Sequence, residues 1–279
     1  MTLARGLLVC LVLILLAGAA GVWVGVPYLE RRWTYRVVKE TPDAPWQTPT
    51  GAEKVTFLAA DDVRLRGWFF PAAARPNGMT VLVLPGNYGN LPGYVSHCRY
   101  LQERGFNLLL FNYRGFGMSE GDTKSEATLT LDGEAAMQYL TAKRGINPDD
   151  IVIAGISLGA PVAATLAARS PCRAVTLIST VAAARIQAAA ERPWLPQVVL
   201  DNLASPFDAA ASIGLARCPV VVIHGVDDAV VPLAQAKQVY DAAGPPKRFI
   251  EVPTADHGLM GVPPESYLHA LTSFLVEGR

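Results

Sequence analysis

The sequence carries no excess of charge, with 24 lysines and arginines set against 24 aspartates and glutamates in 279 residues. Without a net positive field or a basic stripe there is nothing to hold a phosphate backbone, and no nucleic acid is expected as a partner. Cysteine is scarce. Four residues in a chain of this length do not make a disulfide framework, and one of them, Cys10, lies inside an apolar run after Leu8 and Val9, without the small-residue context of a lipoprotein cysteine. Internal repeats and low-complexity tracts are also missing, which excludes solenoid and propeller architectures. No metal or organic cofactor is implied. The length suits one large domain or two small ones.

Apolar residues are abundant, at 51%, and much of the excess sits at one end. Leu7 to Leu29 contains no charged residue. As a helix it would span about 34 Å, enough for a bilayer core of about 30 Å. Residues 1–32 therefore read as an uncleaved single-pass signal anchor, with Trp23 and Tyr28 near an interface. The competing reading is a cleaved signal peptide, with Arg5 before the run and Ala17-Gly18-Ala19 as the cleavage site. Orientation stays open. Arg31, Arg32, Arg36 and Lys39 come after the run and would keep the C-terminal domain in the cytoplasm, whereas segments of this kind commonly export the domain behind them. Residues 33–51, with Pro42, Pro45 and Pro49, read as a linker.

From residue 52 onward the pattern predicts one α/β domain. Strand-like runs at 54–58 and 63–70, joined by Ala59-Ala60-Asp61-Asp62, form an antiparallel hairpin. Strands at 79–84, 106–111, 151–154, 174–178, 219–224 and 248–252 then alternate with helices at 94–104, 125–143, 158–169, 232–243 and 264–276. That alternation implies an eight-stranded, mostly parallel sheet with helices on both faces. An insert at about 180–217 is too small for a domain of its own and reads as a short flap. Cys172 and Cys218 each lie just before a predicted strand. If those strands are neighbours the two could bridge in an oxidising compartment, and otherwise they are buried thiols.

Chemistry is concentrated just after the strands, where ligands sit in such sheets. Ile151 to Ile153 run into Gly155-Ile156-Ser157-Leu158-Gly159 and then an alanine-rich helix. A serine in that strand-turn-helix context is held on strained backbone with its hydroxyl exposed. A hydroxyl needs a base, and the base needs a carboxylate. His257, in Asp256-His257-Gly258 after the last strand, is the natural base. His97 and His269 fall within helices, and His224 at a strand end is expected to pack or hold a turn. Asp227 or Asp228, after the strand ending near His224, would orient His257 in the chain order Ser, Asp, His.

These segments resemble the α/β-hydrolase superfamily over residues 52–279. The nearer resemblance is to its membrane-anchored group of bud-emergence-suppressor homologues and serine-aminopeptidase-like hydrolases. The matching segments are Gly86-Asn87, Asn112 to Gly121, Gly155 to Gly159, and His224 to Pro232. The resemblance makes Asp228 the acid and assigns the oxyanion hole to the N–H groups of Asn87 and Leu158. It departs at Pro85, where the family usually has histidine and where proline supplies no donor. The Arg114 segment is expected to brace the loop beside the site. The function implied is a serine hydrolase that cleaves an ester, thioester or amide bond of a small-molecule or lipid acyl substrate. A serine aminopeptidase and a noncatalytic binding protein of the same fold are the alternatives.

Overall fold

The computed structural model describes residues 5–277 apart from positions 10, 14–17, 19, 20, 41–45, 74, 88–90, 260 and 261. One eight-stranded sheet organises it. β1 (Glu53–Leu58) and β2 (Arg64–Phe70) form the antiparallel hairpin. β2 runs antiparallel to β4 (Asn107–Asn112), and from there β4, β3 (Thr80–Leu84), β5 (Ile151–Ile156), β6 (Ala174–Ile178), β7 (Val220–Gly225) and β8 (Lys247–Val252) are parallel. The spatial order is β1-β2-β4-β3-β5-β6-β7-β8. β3 and β5 are neighbours at the centre, although β4 lies between them in sequence, and that reversal opens a crevice at their carboxyl ends.

Successive side chains of a strand point to opposite faces, and β5 shows it. Ile151 and Ile153 join one core while Val152 and Ala154 join the other. On the first face lie α3 (Glu126–Gln138), α4 (Gly159–Arg169), α7 (Ala209–Ile213) and α8 (Leu233–Ala242), contributing Leu129, Ala136, Val162, Leu166, Ile213 and Val239. On the second lie α2 (Val95–Glu103) and α9 (Glu265–Glu277), contributing Cys98, Leu101, Leu268 and Leu271. The insert carries α5 (Ala184–Glu191), α6 (Gln197–Leu200) and α7.

The expected membrane helix lies only in part within the described residues. Among the described residues no helix is long and apolar enough to cross a membrane. Positions 5–9 and 11–13 are helical, Gly21–Gly25 form a wider π turn, and α1 (Val26–Thr34) then starts with Pro27 in its first turn. Proline lacks the N–H that a regular α-helix would use, which fits the change from the wider turn to α-helix at this point. Positions 10, 14–17, 19 and 20 of the expected span lie outside the described residues. Residues 33–40, read as linker, lie against the domain instead of hanging free: Tyr35 is buried beside Phe207, and Lys39 pairs with Gly117.

Arg114 braces the loop after β4. Its guanidinium binds Asp132 at 2.7 Å and Asp61 at 2.6 Å, and its own N–H donates to Asp132 Oδ2 at 2.7 Å. Burial opposes the charge on Arg114, and the two carboxylates outweigh it and hold the proton more firmly than usual. Asp132 is fully buried, which pushes its carboxyl up to about 6 even though Arg114 pulls the other way. Arg114→Met would strand that carboxylate. The expected cost is about 3–5 kcal/mol, read as a fall in Tm of about 10 °C by calorimetry.

β6 and β7 are neighbours, so the ends that precede them meet, and Cys172 Sγ lies 3.3 Å from Cys218 Sγ with both thiols free. The Cys172 S–H donates to Cys218, which raises the first thiol and lowers the second. Oxidised glutathione should join them, with the Cys218 thiolate attacking first, Cys172 resolving the mixed disulfide, and two molecules of glutathione leaving. The bridge would close a loop of roughly 45 residues, a stabilisation of about 4 kcal/mol in the chain-entropy picture. Peptide mapping without reductant should recover the Cys172–Cys218 pair, and Cys172→Ser should abolish it.

Candidate active site

The turn after β5 is built by what its glycines leave out. A Cβ on Gly155 would sit 2.3 Å from the Gly159 carbonyl oxygen, and one on Gly159 would sit 2.2 Å from that of Leu84. Only hydrogen at both positions lets β5, α4 and the end of β3 come this close. Between them Ser157 is forced to φ +51°, a left-handed conformation that costs an L-residue about 1–2 kcal/mol. Two hydrogen bonds hold it there, from Ser157 N–H to the Ile178 carbonyl at 2.8 Å and from Ala160 N–H to the Ser157 carbonyl at 2.9 Å.

The turn aims the Ser157 hydroxyl at His257, and the Oγ–Nε2 distance is 2.8 Å. On the other side of the ring, Nδ1 lies 2.9 Å from Asp228 Oδ2. A nitrogen facing a carboxylate carries the proton, so Nδ1–H donates to Asp228 and Nε2 is left to accept from the serine. Three residues brought from the ends of β5, β7 and β8 thus form one hydrogen-bonded chain. Asp227 is exposed, and its backbone N–H is tied to the Ala255 carbonyl at 3.0 Å, so the residue turned toward His257 is Asp228. The loops after β7 and β8 fit tightly, since a Cβ on Gly225 would come within 2.3 Å of the Ala255 oxygen.

Asp228 is 8% exposed, and burial alone would favour its neutral form. The hydrogen bond from His257 and those from Val231 N–H at 2.8 Å and Val230 N–H at 2.9 Å outweigh burial and hold the carboxyl below its usual range. The acid is therefore an anion directed at the imidazole. His224 does what a strand-end histidine was expected to do. It is fully buried, burial keeps it neutral, and its Nε2–H donates to the Val231 carbonyl at 2.9 Å, closing the turn that carries Asp228.

Asn87 and Leu158 flank the serine. Leu158 begins the first turn of α4, where backbone N–H groups have no intrahelical acceptor. Asn87 comes after Gly86, whose missing Cβ would lie 3.3 Å from Ser157 Cβ, so the loop after β3 packs directly on the turn. Pro85 is accommodated because the next donor, Gly86 N–H, bonds to the Tyr94 hydroxyl at 2.9 Å. Burial raises the Tyr94 pKa, so that oxygen stays a neutral acceptor. Tyr94 was not among the expected site residues, and no pattern in its predicted helix marks it. Ser179 was missed as well. It takes φ +50° and accepts from Gly258 N–H at 3.0 Å, anchoring the loop of His257. It directly follows β6, so the rule of searching strand ends would have found it.

Beneath the site, between the sheet and the layer of α2 and α9, lies an apolar cavity of about 60 Å3 lined in part by Val83, Tyr94, Ile156, Ile178 and Tyr267. Gly258 also lines it, which places it directly beside the neighbours of the serine and the histidine. Among the described residues no group of three or more histidine, cysteine or carboxylate side chains could hold a metal ion.

Comparison with known proteins agrees with this architecture. The family model described as the alpha/beta hydrolase fold matches residues 80–210. The uncharacterized protein Rv2307c of Mycobacterium tuberculosis is 34% identical over 242 residues, which cover 86% of this chain and 84% of that protein. The lysophosphatidylserine lipase ABHD12 of Macaca fascicularis is 30% identical over 200 residues, 65% of this chain and 49% of the lipase. Among solved structures, the esterase Pf2001 of Pyrococcus furiosus superposes with a TM-score of 0.71 at 21% identity, covering 86% of this chain and 99% of the esterase. The chain belongs to the α/β-hydrolase fold family.

Proposed function

We propose that the protein is a serine hydrolase that cleaves an ester or related acyl bond through a covalent acyl-enzyme. The observation that carries this reading is the continuous hydrogen-bonded chain from Ser157 through His257 to Asp228, with distances of 2.8 and 2.9 Å. Ser157 Oγ attacks the acyl carbon while His257 Nε2 takes its proton. Asp228, already ionised, stabilises the imidazolium that results. The N–H groups of Asn87 and Leu158 receive the developing oxyanion, and each such donor is worth about 3 kcal/mol in comparable acyl-transfer sites. His257 then returns the proton to the leaving group, and water repeats the sequence to release the acid.

An acyl substrate is supported by the apolar cavity beneath the site, which Ile156 and Gly258 help to line, and by the likeness to a lysophosphatidylserine lipase and an esterase. The charge-free run from Leu7 to Leu29 supports a further part of the reading, that the N-terminus anchors the enzyme at a membrane and that lipid or other membrane-borne acyl groups are its substrates. Domains then divide into an anchor and a hydrolase body with a flap at 180–217.

A panel of p-nitrophenyl esters of increasing chain length tests the activity, with Ser157→Ala as the control. Turnover that survives Ser157→Ala would contradict the assignment. Asp228→Asn should lower kcat by about 10³–10⁴-fold, because the amide favours the wrong imidazole tautomer. Asp227→Asn should stay within about threefold of wild type, as is normal for an exposed side chain outside the site. Equal losses in the two variants would show the acid to be misassigned.

A further inference from the structure

From the second half of α1 onward, residues 30–40 run across the domain with attachments all along their length. Glu30 is 6% exposed, and its carboxylate accepts from Ala204 N–H at 2.6 Å and Ser205 N–H at 2.8 Å. A buried carboxylate is costly unless its lone pairs are filled, and Glu30 fills them with main-chain amides of the insert. Tyr35 is buried, with its hydroxyl 3.4 Å from Ser205 Oγ and its ring edge-on to Phe207. At the far end, Gly117 N–H donates to the Val38 carbonyl at 2.8 Å and Glu40 N–H to the Gly117 carbonyl at 3.3 Å. The segment is tied to the insert at one end and to the loop after β4 at the other.

Midway between these ties, Arg36 N–H donates to Asn87 Oδ1 at 2.7 Å. The oxyanion loop has few other restraints among the described residues. Pro85 offers no donor, and Gly86 N–H is committed to the Tyr94 hydroxyl. The hydrogen bond to the Asn87 side chain comes from outside the loop, from a stretch that sequence alone assigns to a linker.

We propose that residues 30–40 form a strap in which Arg36, through its main-chain amide, positions the oxyanion loop by holding Asn87. Arg36 is a positioning residue, and its side chain has no part in this. The catalytic unit then begins at α1 rather than at β1, and whatever orients α1 also orients the oxyanion loop. The proposal rests on the reading of Ser157 as the nucleophile and adds to it a group more than a hundred residues away in sequence.

The test uses the full-length chain. Arg36→Pro removes the donor, and Tyr35 is already extended at φ −107° and ψ 108°, the conformation a residue before proline prefers. Arg36→Ala keeps the amide and serves as its reference. Relative to Arg36→Ala, Arg36→Pro should lose about tenfold in kcat with KM changed less than about twofold, because the oxyanion exists only in the transition state. Inhibition by a trifluoromethyl ketone, which forms the tetrahedral adduct, should weaken by the same factor. Asn87→Ala removes the acceptor without touching the backbone and should show the same losses, and the double variant should be no worse than either single one. Equal kcat and equal inhibitor affinity for Arg36→Pro and Arg36→Ala would overturn the strap, as would losses that multiply in the double variant. Either result leaves wild-type turnover, and with it the hydrolase reading, intact. An inactive wild type with an unreactive Ser157 would overturn both. If Arg36→Pro proves unstable by its Tm, Asn87→Ala decides, and an unchanged kcat and inhibitor affinity there would count against the proposal.

Discussion

The close approach of β5, α4 and β3 around Ser157 is the constraint on which the rest of the site depends. Its geometry needs hydrogen in place of a side chain at Gly155 and Gly159, since a Cβ at either would lie within 2.3 Å of a carbonyl oxygen. That clearance forces the serine to φ +51° and leaves its hydroxyl nowhere to point but out of the turn. The strain, about 1–2 kcal/mol, is offset by bonds to Ile178 and Ala160, so the hydroxyl is held in position before any substrate arrives. In the serine hydrolase we propose, preorganisation of this kind would remove reorientation from the chemical step.

A second layer makes the serine's partner useful. His257 can accept a proton at Nε2 only if Nδ1 is already protonated and directed elsewhere. Asp228 directs it, and the backbone keeps Asp228 charged despite its burial. His224 and Ser179 act further out, one closing the turn of the acid and the other anchoring the loop of the base. Both hold main-chain loops at the ends of parallel strands, which is where this sheet concentrates its chemistry.

Much of this was legible in the sequence because it rests on local rules. Apolar runs of five or six residues separated by helical patterns marked strands whose edges lie within a residue or two of those observed, as at β6 and β7. Gly155-Ile156-Ser157-Leu158-Gly159 announced its turn because glycine is the residue that such packing demands. What stayed hidden depends on partners far away in the chain. Nothing near Tyr94 shows that its hydroxyl will meet Gly86, and nothing near Glu30 shows that it will be buried under Ala204 and Ser205. Composition marked residues 33–51 as linker because proline and polar residues punctuate them, yet the bonds that tie down 33–40 are largely main-chain bonds, which leave no trace in residue identity.

The central claim is that Ser157 becomes covalently acylated during turnover. Mixing the enzyme with p-nitrophenyl acetate, quenching in acid within the first turnover and mapping the peptides by mass spectrometry tests it directly. The expected result is a burst of nitrophenol and one acetyl group on the peptide that contains Ser157, absent from Ser157→Ala. Hydrolysis at full rate with no acetyl group on that peptide, or with the group on another residue, would contradict it.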